Sequence, residues 1–408
     1  MKPAFPTRRA VQLGLTAIAL RPPRYRRSSV PVFFAGWLTG ELAPHLLALT
    51  AADAVQHVVR HGLGSRATKT GLAFATLSAA GLGALVASAQ NARGEVESAL
   101  TEALGPDYSH EPADLATPWL RLALPFRARE RDVVRERNIA YAEGGKRFLL
   151  DVYRPAKPVT GAPVLLQIHG GAWTIGNKDE QGLPLMYHLA RLGWVCVAIN
   201  YPLAPANRWP AHVVAAKRAL VWIREHVEDY GGDPAFIAVT GGSAGGHLAA
   251  LLALSQNDPA LQPGFPEGDT SVQACVPLYG VYDIAATSGA ESSRYRLELL
   301  ARRVFAADRD PVRYLEDYLA ASPLDRISED APPFFVIHGS HDSLVPVAEA
   351  REFVRRLRSA SAEPVAYAEL AGAQHAFDVF TSIRSAHVVR GVARFLDHTH
   401  RTWAAANR

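Results

Sequence analysis

Ser243 sits within Gly241-Gly242-Ser243-Ala244-Gly245-Gly246, a Gly-x-Ser-x-Gly segment. A serine hydroxyl is a weak nucleophile until a base takes its proton. Here an apolar run, Phe236 to Thr240, leads into the serine, and a helical run, His247 to Leu254, leads away from it. That context puts the hydroxyl on a strained turn between a strand and a helix, with Gly241 and Gly245 leaving room where the two nearly touch. The start of the helix offers the Ala244 N–H to a developing oxyanion. Earlier in the chain, His169-Gly170-Gly171-Ala172-Trp173 follows another short apolar run. Glycines there let backbone donors approach a substrate without a Cβ in the way, and each such donor is worth about 3 kcal/mol of transition-state stabilisation. Gly170, Gly171 and Ala244 are the expected oxyanion donors. His169 is expected to brace its loop by hydrogen bonds, and Trp173 either lines the pocket or packs under the loop.

A nucleophilic serine needs a base, and the base needs an acid to orient it. The run Phe334 to Ile337 ends in His338-Gly339-Ser340-His341-Asp342, so Asp342 falls just after a late strand. His375 lies in Ala371-Gly372-Ala373-Gln374-His375-Ala376-Phe377, after the last strand signal. The order serine, acid, histidine suits one open sheet whose strand ends share a crevice. Asp342 would orient His375, and His375 would deprotonate Ser243. The chain has 15 histidines, so position rather than residue type singles out His375. Asp283, after the earlier run Ala274–Leu278, is the competing acid. His338 reads as a core residue at a strand end, and Asp378 as part of the next element.

The elements that must position these residues are legible from about residue 135. Asn138–Tyr141 and Phe148–Tyr153 flank Glu143-Gly144-Gly145-Lys146, a hairpin signal. Pro163–Ile168, Trp194–Asn200, Phe236–Thr240, Ala274–Leu278, Phe334–Ile337 and Val365–Leu370 read as further strands. Ala211–Glu228, His247–Leu254, Val347–Leu357 and Ile383–Leu396 read as helices. This alternation predicts an α/β fold, a mostly parallel sheet with helices on both faces, and every candidate catalytic residue follows a strand. The segment near 284–330 falls between strands and reads as a cap. Its Tyr295, Leu297, Leu299, Leu300, Phe305, Tyr314 and Tyr318 suit either an apolar acyl group or ordinary helix packing.

The 408 residues allow more than this one domain. Residues 1–92 read as a basic and apolar helical region, 93–134 as a connecting arm that could lie over the site, and 135–400 as the catalytic domain. Arg8, Arg9, Arg21, Arg24, Arg26 and Arg27 precede any acidic residue. Val11–Leu20 resembles a signal segment, but Arg21-Pro22-Pro23-Arg24 replaces a small-residue cleavage site. Val30–Ala52 is apolar except for Glu41 and His45, and a carboxylate at mid-bilayer is costly. Gly71–Gln90 is uncharged and long enough to cross a bilayer. Its Gly71, Ala75, Ala79, Gly83 and Ala87 suggest a strip for a partner helix, such as 30–52. The expected location is therefore the membrane, through residues 30–90, with a soluble cytoplasmic protein as the alternative. The formal charge of only +4 and the clustering of its basic excess ahead of apolar sequence argue against a nucleic-acid partner. The two cysteines, Cys196 and Cys275, lie in strand runs and read as inert core thiols.

The combined motifs resemble the α/β-hydrolase esterases and lipases, near their hormone-sensitive-lipase-like branch. The resemblance rests on His169-Gly170-Gly171-Ala172-Trp173-Thr174-Ile175-Gly176-Asn177-Lys178, Asn200-Tyr201-Pro202-Leu203-Ala204-Pro205, the Ser243 segment and the His375 loop. Two departures exist. That branch carries Asp where this chain has Gly242, and Asp-Pro-Leu where this chain has Asp342-Ser343-Leu344. With His-Gly-Gly-Ala-Trp, these look closer to the feruloyl-esterase-like and kynurenine-formamidase-like groups. The N-terminal region resembles that of actinobacterial membrane-associated carboxylesterases. The resemblance implies a serine hydrolase of carboxylic esters, on short- to medium-chain acyl groups, with no cofactor and no metal. Formamide hydrolysis and a non-catalytic membrane-associated binding protein are the alternatives.

Overall fold

The structure is a computed structural model that describes residues 4–23, 29–108, 116–289, 300–305 and 313–407. Its centre is a sheet in the order β1-β2-β4-β3-β5-β6-β7-β8, eight strands among the described residues. β1 (Val133–Ala140) and β2 (Leu149–Pro155) form the antiparallel hairpin, and β2 is antiparallel to β4 (Val195–Ile199). The rest, β3 (Ala162–Ile168), β5 (Gly232–Gly242), β6 (Ala274–Leu278), β7 (Phe334–Gly339) and β8 (Val365–Leu370), run parallel. All residues of β4, β6 and β7 are buried, as expected for strands covered on both faces.

Four helices lead into this sheet: α1 (Phe5–Leu20), α2 (Ser29–Glu41), α3 (Ala43–His61) and α4 (Arg66–Leu104). The short α5 (Trp119–Leu122) lies in the arm, followed by α6 (Leu183–Arg191), α7 (Ala211–His226), α8 (Ala244–Ala253), α9 (Leu315–Ala320), α10 (Val347–Ala360) and α11 (Ile383–Ala406). One face of the sheet packs on α7, α8 and α10 through residues such as Val213, Leu248 and Phe353. The other packs on α6, α11 and the second half of α4, through Met186, Phe395 and Val96. The sequence reading ends the N-terminal region at residue 92, but α4 runs on to Leu104. Ala92, Val96, Ala99 and Leu100 keep the 3.6-residue apolar period and are buried against the sheet layer. The sequence reading assigns no helix to α6. Gly182, in the left-handed region with a φ of 71°, caps its start, and Pro184 stands in its first turn.

The first half of α4 pairs with α1 and α3 instead. A Cβ at Gly71 would stand 2.4 Å from the Phe5 ring, and one at Gly81 would stand 2.6 Å from Thr16. These contacts make α1 parallel to α4. Helix α3 runs the other way: Ala43 packs with Leu82 and Leu85, while His57 Nε2 meets Thr68 Oγ1 at 3.1 Å. The buried face of α4 is Gly71, Ala75, Ser78, Leu82, Leu85 and Ala89. The strict four-residue strip expected from the sequence drifts off this face, since 3.6 residues make a turn. Gly83 has open space where a side chain would lie, and Ala87 is exposed. The partner is chiefly α1 and α3 rather than 30–52 as one span, because the chain bends by 78° between α2 and α3. By length and composition α4 can cross a membrane, as can α2 and α3 if that bent pair is one span.

Candidate active site

Strand β5 ends in the elbow. Ser243 holds φ 58° and ψ −120°, a backbone conformation that costs a non-glycine residue about 1–3 kcal/mol. Its surroundings enforce it. The Ser243 N–H donates to Leu278 O of β6 at 3.0 Å, and the His247 N–H returns to Ser243 O at 2.9 Å. A Cβ at Gly245 would come within 2.1 Å of Ile168 O, and one at Gly241 within 2.5 Å of the same oxygen. The two glycines are therefore required by the approach of β3 to the elbow.

Beyond Ile168 the chain turns sharply, with positive φ at Gly171 (117°), Ala172 (50°) and Trp173 (58°). The loop lies against the serine: a Cβ on Gly170 would meet Ser243 Cβ at 3.2 Å. One expected donor is already occupied. The Gly170 N–H donates to Gln181 Oε1 at 2.7 Å. The N–H groups of Gly171, Ala172 and Ala244 have no protein acceptor among the described residues. Of the expected donors, Gly170 is thus engaged within the protein, while Gly171 and Ala244, with Ala172 beside them, are not. Sequence reasoning did not identify Gln181, whose role depends on a contact that no local pattern encodes.

His169 braces the loop. Its Nδ1 lies 2.7 Å from Gly170 O, its ring stacks on Tyr201 at 4.4 Å, and Tyr201 Oη donates to His169 O at 2.9 Å. Burial pushes the imidazole down to about 4, so it is neutral and Nδ1 carries the proton that Gly170 O accepts. Trp173 packs under the loop: it is buried, and its Nε1–H donates to His247 Nδ1 at 3.2 Å. His247 Nε2 in turn reaches Ala321 O at 2.7 Å, tying the loop to α8 and to the segment after α9.

Asp342 and His375 meet as expected, with Asp342 Oδ2 accepting from His375 Nδ1 at 2.6 Å. The N–H groups of Leu344 and Val345 both donate to Asp342 Oδ1 at 2.8 Å. His338 adds a second imidazole, its Nε2 3.3 Å from Asp342 Oδ2. Burial alone would push the Asp342 carboxyl up. The two histidines outweigh it and hold this acid well below the usual carboxylate range. The loops carrying the pair are stapled by Gln374, whose Oε1 accepts from the N–H groups of Ser343 (2.7 Å) and His375 (3.0 Å). The competing acid, Asp283, is turned to its own loop, where its carboxylate accepts from the Thr287 N–H at 2.9 Å and from the Ser288 hydroxyl.

Two neighbours of His375 escaped sequence reasoning. The Tyr279 ring lies 4.5 Å from the imidazole, and its hydroxyl donates to Asp378 Oδ1. Asp378 is buried, and that burial pushes its carboxyl up. This pair accounts for Gly242: a Cβ there would stand 2.4 Å from Tyr279 Oη, so no aspartate fits. The only sequence signal was that departure itself. The other neighbour is Phe33 of α2, packed edge-on against His375 with centroids 5.9 Å apart. In the cap, Phe305 stacks on Tyr318 at 4.1 Å and lies 5.9 Å from Trp209, which is the packing role for those two. Tyr295, Leu297 and Leu299 lie outside the described residues.

An eight-stranded, mostly parallel sheet with a strained serine at one strand end and an acid–histidine pair at two later ones defines an α/β-hydrolase. Residues 150–357 match the BD-FAE family. The chain is 49% identical over 345 residues to the probable carboxylic ester hydrolase LipM of Mycobacterium tuberculosis, covering 82% of this chain and 79% of that one. It is 44% identical over 343 residues to the esterase LipQ of the same organism, covering 80% of each. Among solved structures, an esterase from Thermogutta terrifontis superposes with a TM-score of 0.51 at 24% identity, over 63% of this chain and 88% of that one, a likeness of fold. The chain belongs to the BD-FAE family of α/β-hydrolases and is a carboxylesterase.

Proposed function

We propose that this carboxylesterase works through an acyl-enzyme formed on Ser243, with His375 as base and Asp342 as its orienting acid. The observation that carries the reading is the Asp342–His375 hydrogen bond, with His375 4.5 Å from the Tyr279 ring and the residue before that tyrosine, Leu278, accepting from the Ser243 N–H at 3.0 Å. Because Nδ1 faces Asp342, Nε2 is the nitrogen that takes the serine proton and later returns it to the leaving alcohol. As Ser243 Oγ attacks, the carbonyl oxygen gains charge, and the free N–H groups of Gly171, Ala172 and Ala244 are placed to receive it. Collapse expels the alcohol, and water deprotonated by His375 then releases the acid. Short- to medium-chain acyl esters are the proposed substrates, with the protein held at a membrane by its N-terminal helices.

A fluorophosphonate probe tests the nucleophile. The wild type should label and hydrolyse p-nitrophenyl esters, and Ser243→Ala should do neither while remaining folded. A wild type that resists the probe would remove Ser243 from the chemistry. Rapid turnover of N-formylkynurenine with none of the esters would replace ester hydrolysis by amide hydrolysis.

A further inference from the structure

The outer face of α2 is apolar and uncovered, although its inner face touches the catalytic histidine. Val30, Phe34 and Leu38 recur every fourth residue along one side of the helix and are exposed, while Phe33 and Gly36 on the other side are buried against the His375 loop. A Cβ on Gly36 would meet Gln374 Nε2 at 3.3 Å. Aromatic contacts link the helix to the exposed arm through the half-buried Trp37 and the buried Phe380. Trp37 lies 5.5 Å from Phe380, and Phe380 lies 5.0 Å from Phe126 of the arm. The arm adds Leu120, which is 94% exposed, and Phe126, which is 72% exposed. Single exposed apolar residues need no explanation, but a joined patch beside an active site does.

The same arm is mostly basic, with Arg121, Arg127, Arg129 and Arg131 against Glu130. Behind Leu120, Leu124 and Phe126 lies a groove of about 1250 Å³ bounded by eight arginines and by only three carboxylates, Glu130, Asp132 and Asp397. Arg191 is engaged by Asp132, Arg121 by Glu130, Arg401 by Asp397 and Arg394 by Glu97. Arg127 and Arg129 are exposed and make no ion pair among the described residues. The groove shares Thr381 with the aromatic patch, where its N–H donates to Pro125 O at 2.9 Å.

The bundle fixes how this surface would face a bilayer. Helices α1, α3 and the first half of α4 lie along one another and expose Val11, Leu49, Val55, Val59 and Leu77. If that bundle stands along the membrane normal, the 78° bend lays α2 close to the membrane plane at the bundle's catalytic end. Aromatics and leucines then enter the acyl boundary, and arginines meet phosphate headgroups.

We propose that α2 and the arm around residues 119–131 form a docking face for an anionic phospholipid surface. It delivers acyl esters dissolved in that bilayer past Phe33 to His375 and Ser243. The inference rests on the ester-hydrolase reading and names its substrate class as a lipid-phase acyl ester.

The test uses full-length protein reconstituted into phosphatidylcholine vesicles, with and without phosphatidylglycerol. Two substrates are compared: a long-chain acyl ester dissolved in the bilayer and a water-soluble acetate ester. Leu120→Glu, and separately Arg127→Gln with Arg129→Gln, should each lower turnover of the bilayer ester tenfold or more, at about 1 kcal/mol per arginine. Turnover of the acetate ester should stay unchanged. The advantage of phosphatidylglycerol should shrink in high salt. Equal rates for wild type and both variants on the bilayer ester would overturn the proposal. So would a dimer that Leu120→Glu splits without affecting bilayer turnover, which would assign the face to a second copy. If Leu120→Glu also loses the acetate ester, the arginine pair decides alone. A wild type inactive on both esters would instead count against the hydrolase reading.

Discussion

Removing either partner of the Glu41–Arg384 pair should cost far more than removing both. Glu41 ends α2 and Arg384 begins α11, and both side chains are fully enclosed. Glu41 accepts from Arg384 Nη1 at 2.8 Å and from Ser382 Oγ at 2.6 Å. Arg384 Nη2 also reaches Ala371 O at 3.2 Å and Ser88 Oγ at 3.3 Å, so one guanidinium links α2, α4 and the His375 loop. Glu41→Gln keeps the shape but strands a buried cation, at a cost of about 3–5 kcal/mol. Arg384→Met strands a buried carboxylate, in the same range. Combining Glu41→Gln with Arg384→Met removes both charges, keeps an acceptor for the Ser382 hydroxyl, and forfeits only the two outer hydrogen bonds of Arg384, to Ala371 O and Ser88 Oγ, about 1 kcal/mol each. The two single losses sum to about 6–10 kcal/mol against about 2 kcal/mol for the pair, a coupling of about 4 kcal/mol or more. Urea unfolding in detergent, followed by tryptophan fluorescence, gives the four stabilities of the cycle. The single variants should sit close to the limit of stability, since a whole domain has about 5–15 kcal/mol. A double variant as unstable as the sum of the singles would refute the clamp, because the two charges would then act independently.

Three further outcomes follow from the same geometry. Asp342→Asn should lower kcat on p-nitrophenyl esters by about 10⁴, because the orienting charge on His375 is lost. Since the Asp342 carboxyl is held below its ordinary range, its contribution to stability is present above the unfolded carboxyl value near 4 and disappears as pH falls through its lowered folded value; the acid limb of a pH–stability curve should flatten in Asp342→Asn. Gly242→Ala places a Cβ 2.4 Å from Tyr279 Oη, which the buried Asp378 holds, so urea unfolding should show a loss of about 1–3 kcal/mol. Lys217, enclosed with Gln262 Oε1 at 3.2 Å and Thr270 Oγ1 at 3.0 Å, is lowered by burial to about 8. The folded state therefore binds fewer protons than the unfolded chain between about 8 and about 10.4, stability should rise across that window, and Lys217→Met should abolish the rise.

What the sequence reveals divides along physical lines. Strand β6 at Ala274–Leu278 is read to the residue because a buried parallel strand is an unbroken apolar run between turn residues, and β8 at Val365–Leu370, on the sheet edge, because its apolar run is interrupted only by Glu369. The meeting of Asp342 and His375 is legible for a related reason: strand ends in such a sheet share one edge. Gln181 on Gly170 and Asp378 on Tyr279 are not legible, because each joins segments whose separation in the chain says nothing of their approach in space. Glu41 shows how a correct local rule can mislead. Its carboxylate argues against a simple span over 30–52, and indeed the helix breaks there. Yet the residue is buried in protein, against an arginine far along the chain that pattern reading has no means of pairing with it.

The N-terminal helices therefore cannot be treated as an anchor hung on a finished enzyme. The second half of α4 fills the same layer as α6 and α11, so cutting the chain at residue 92 would expose Phe335 and Val392 of the core. A Cβ at Gly391 would already stand 2.2 Å from Val96, which shows how closely the two helices meet. Ser88 Oγ donates to Ala371 O at 2.9 Å, and the Ala371 N–H reaches the Glu95 carboxylate at 3.2 Å, so α4 holds the strand end that leads into the His375 loop. Helix α2 touches His375 itself through Phe33. Any tilt of the bundle is thus transmitted, through two helices and one buried ion pair, to the loop that carries His375. The position of His375 relative to Ser243 depends on residues that precede the catalytic domain in the chain.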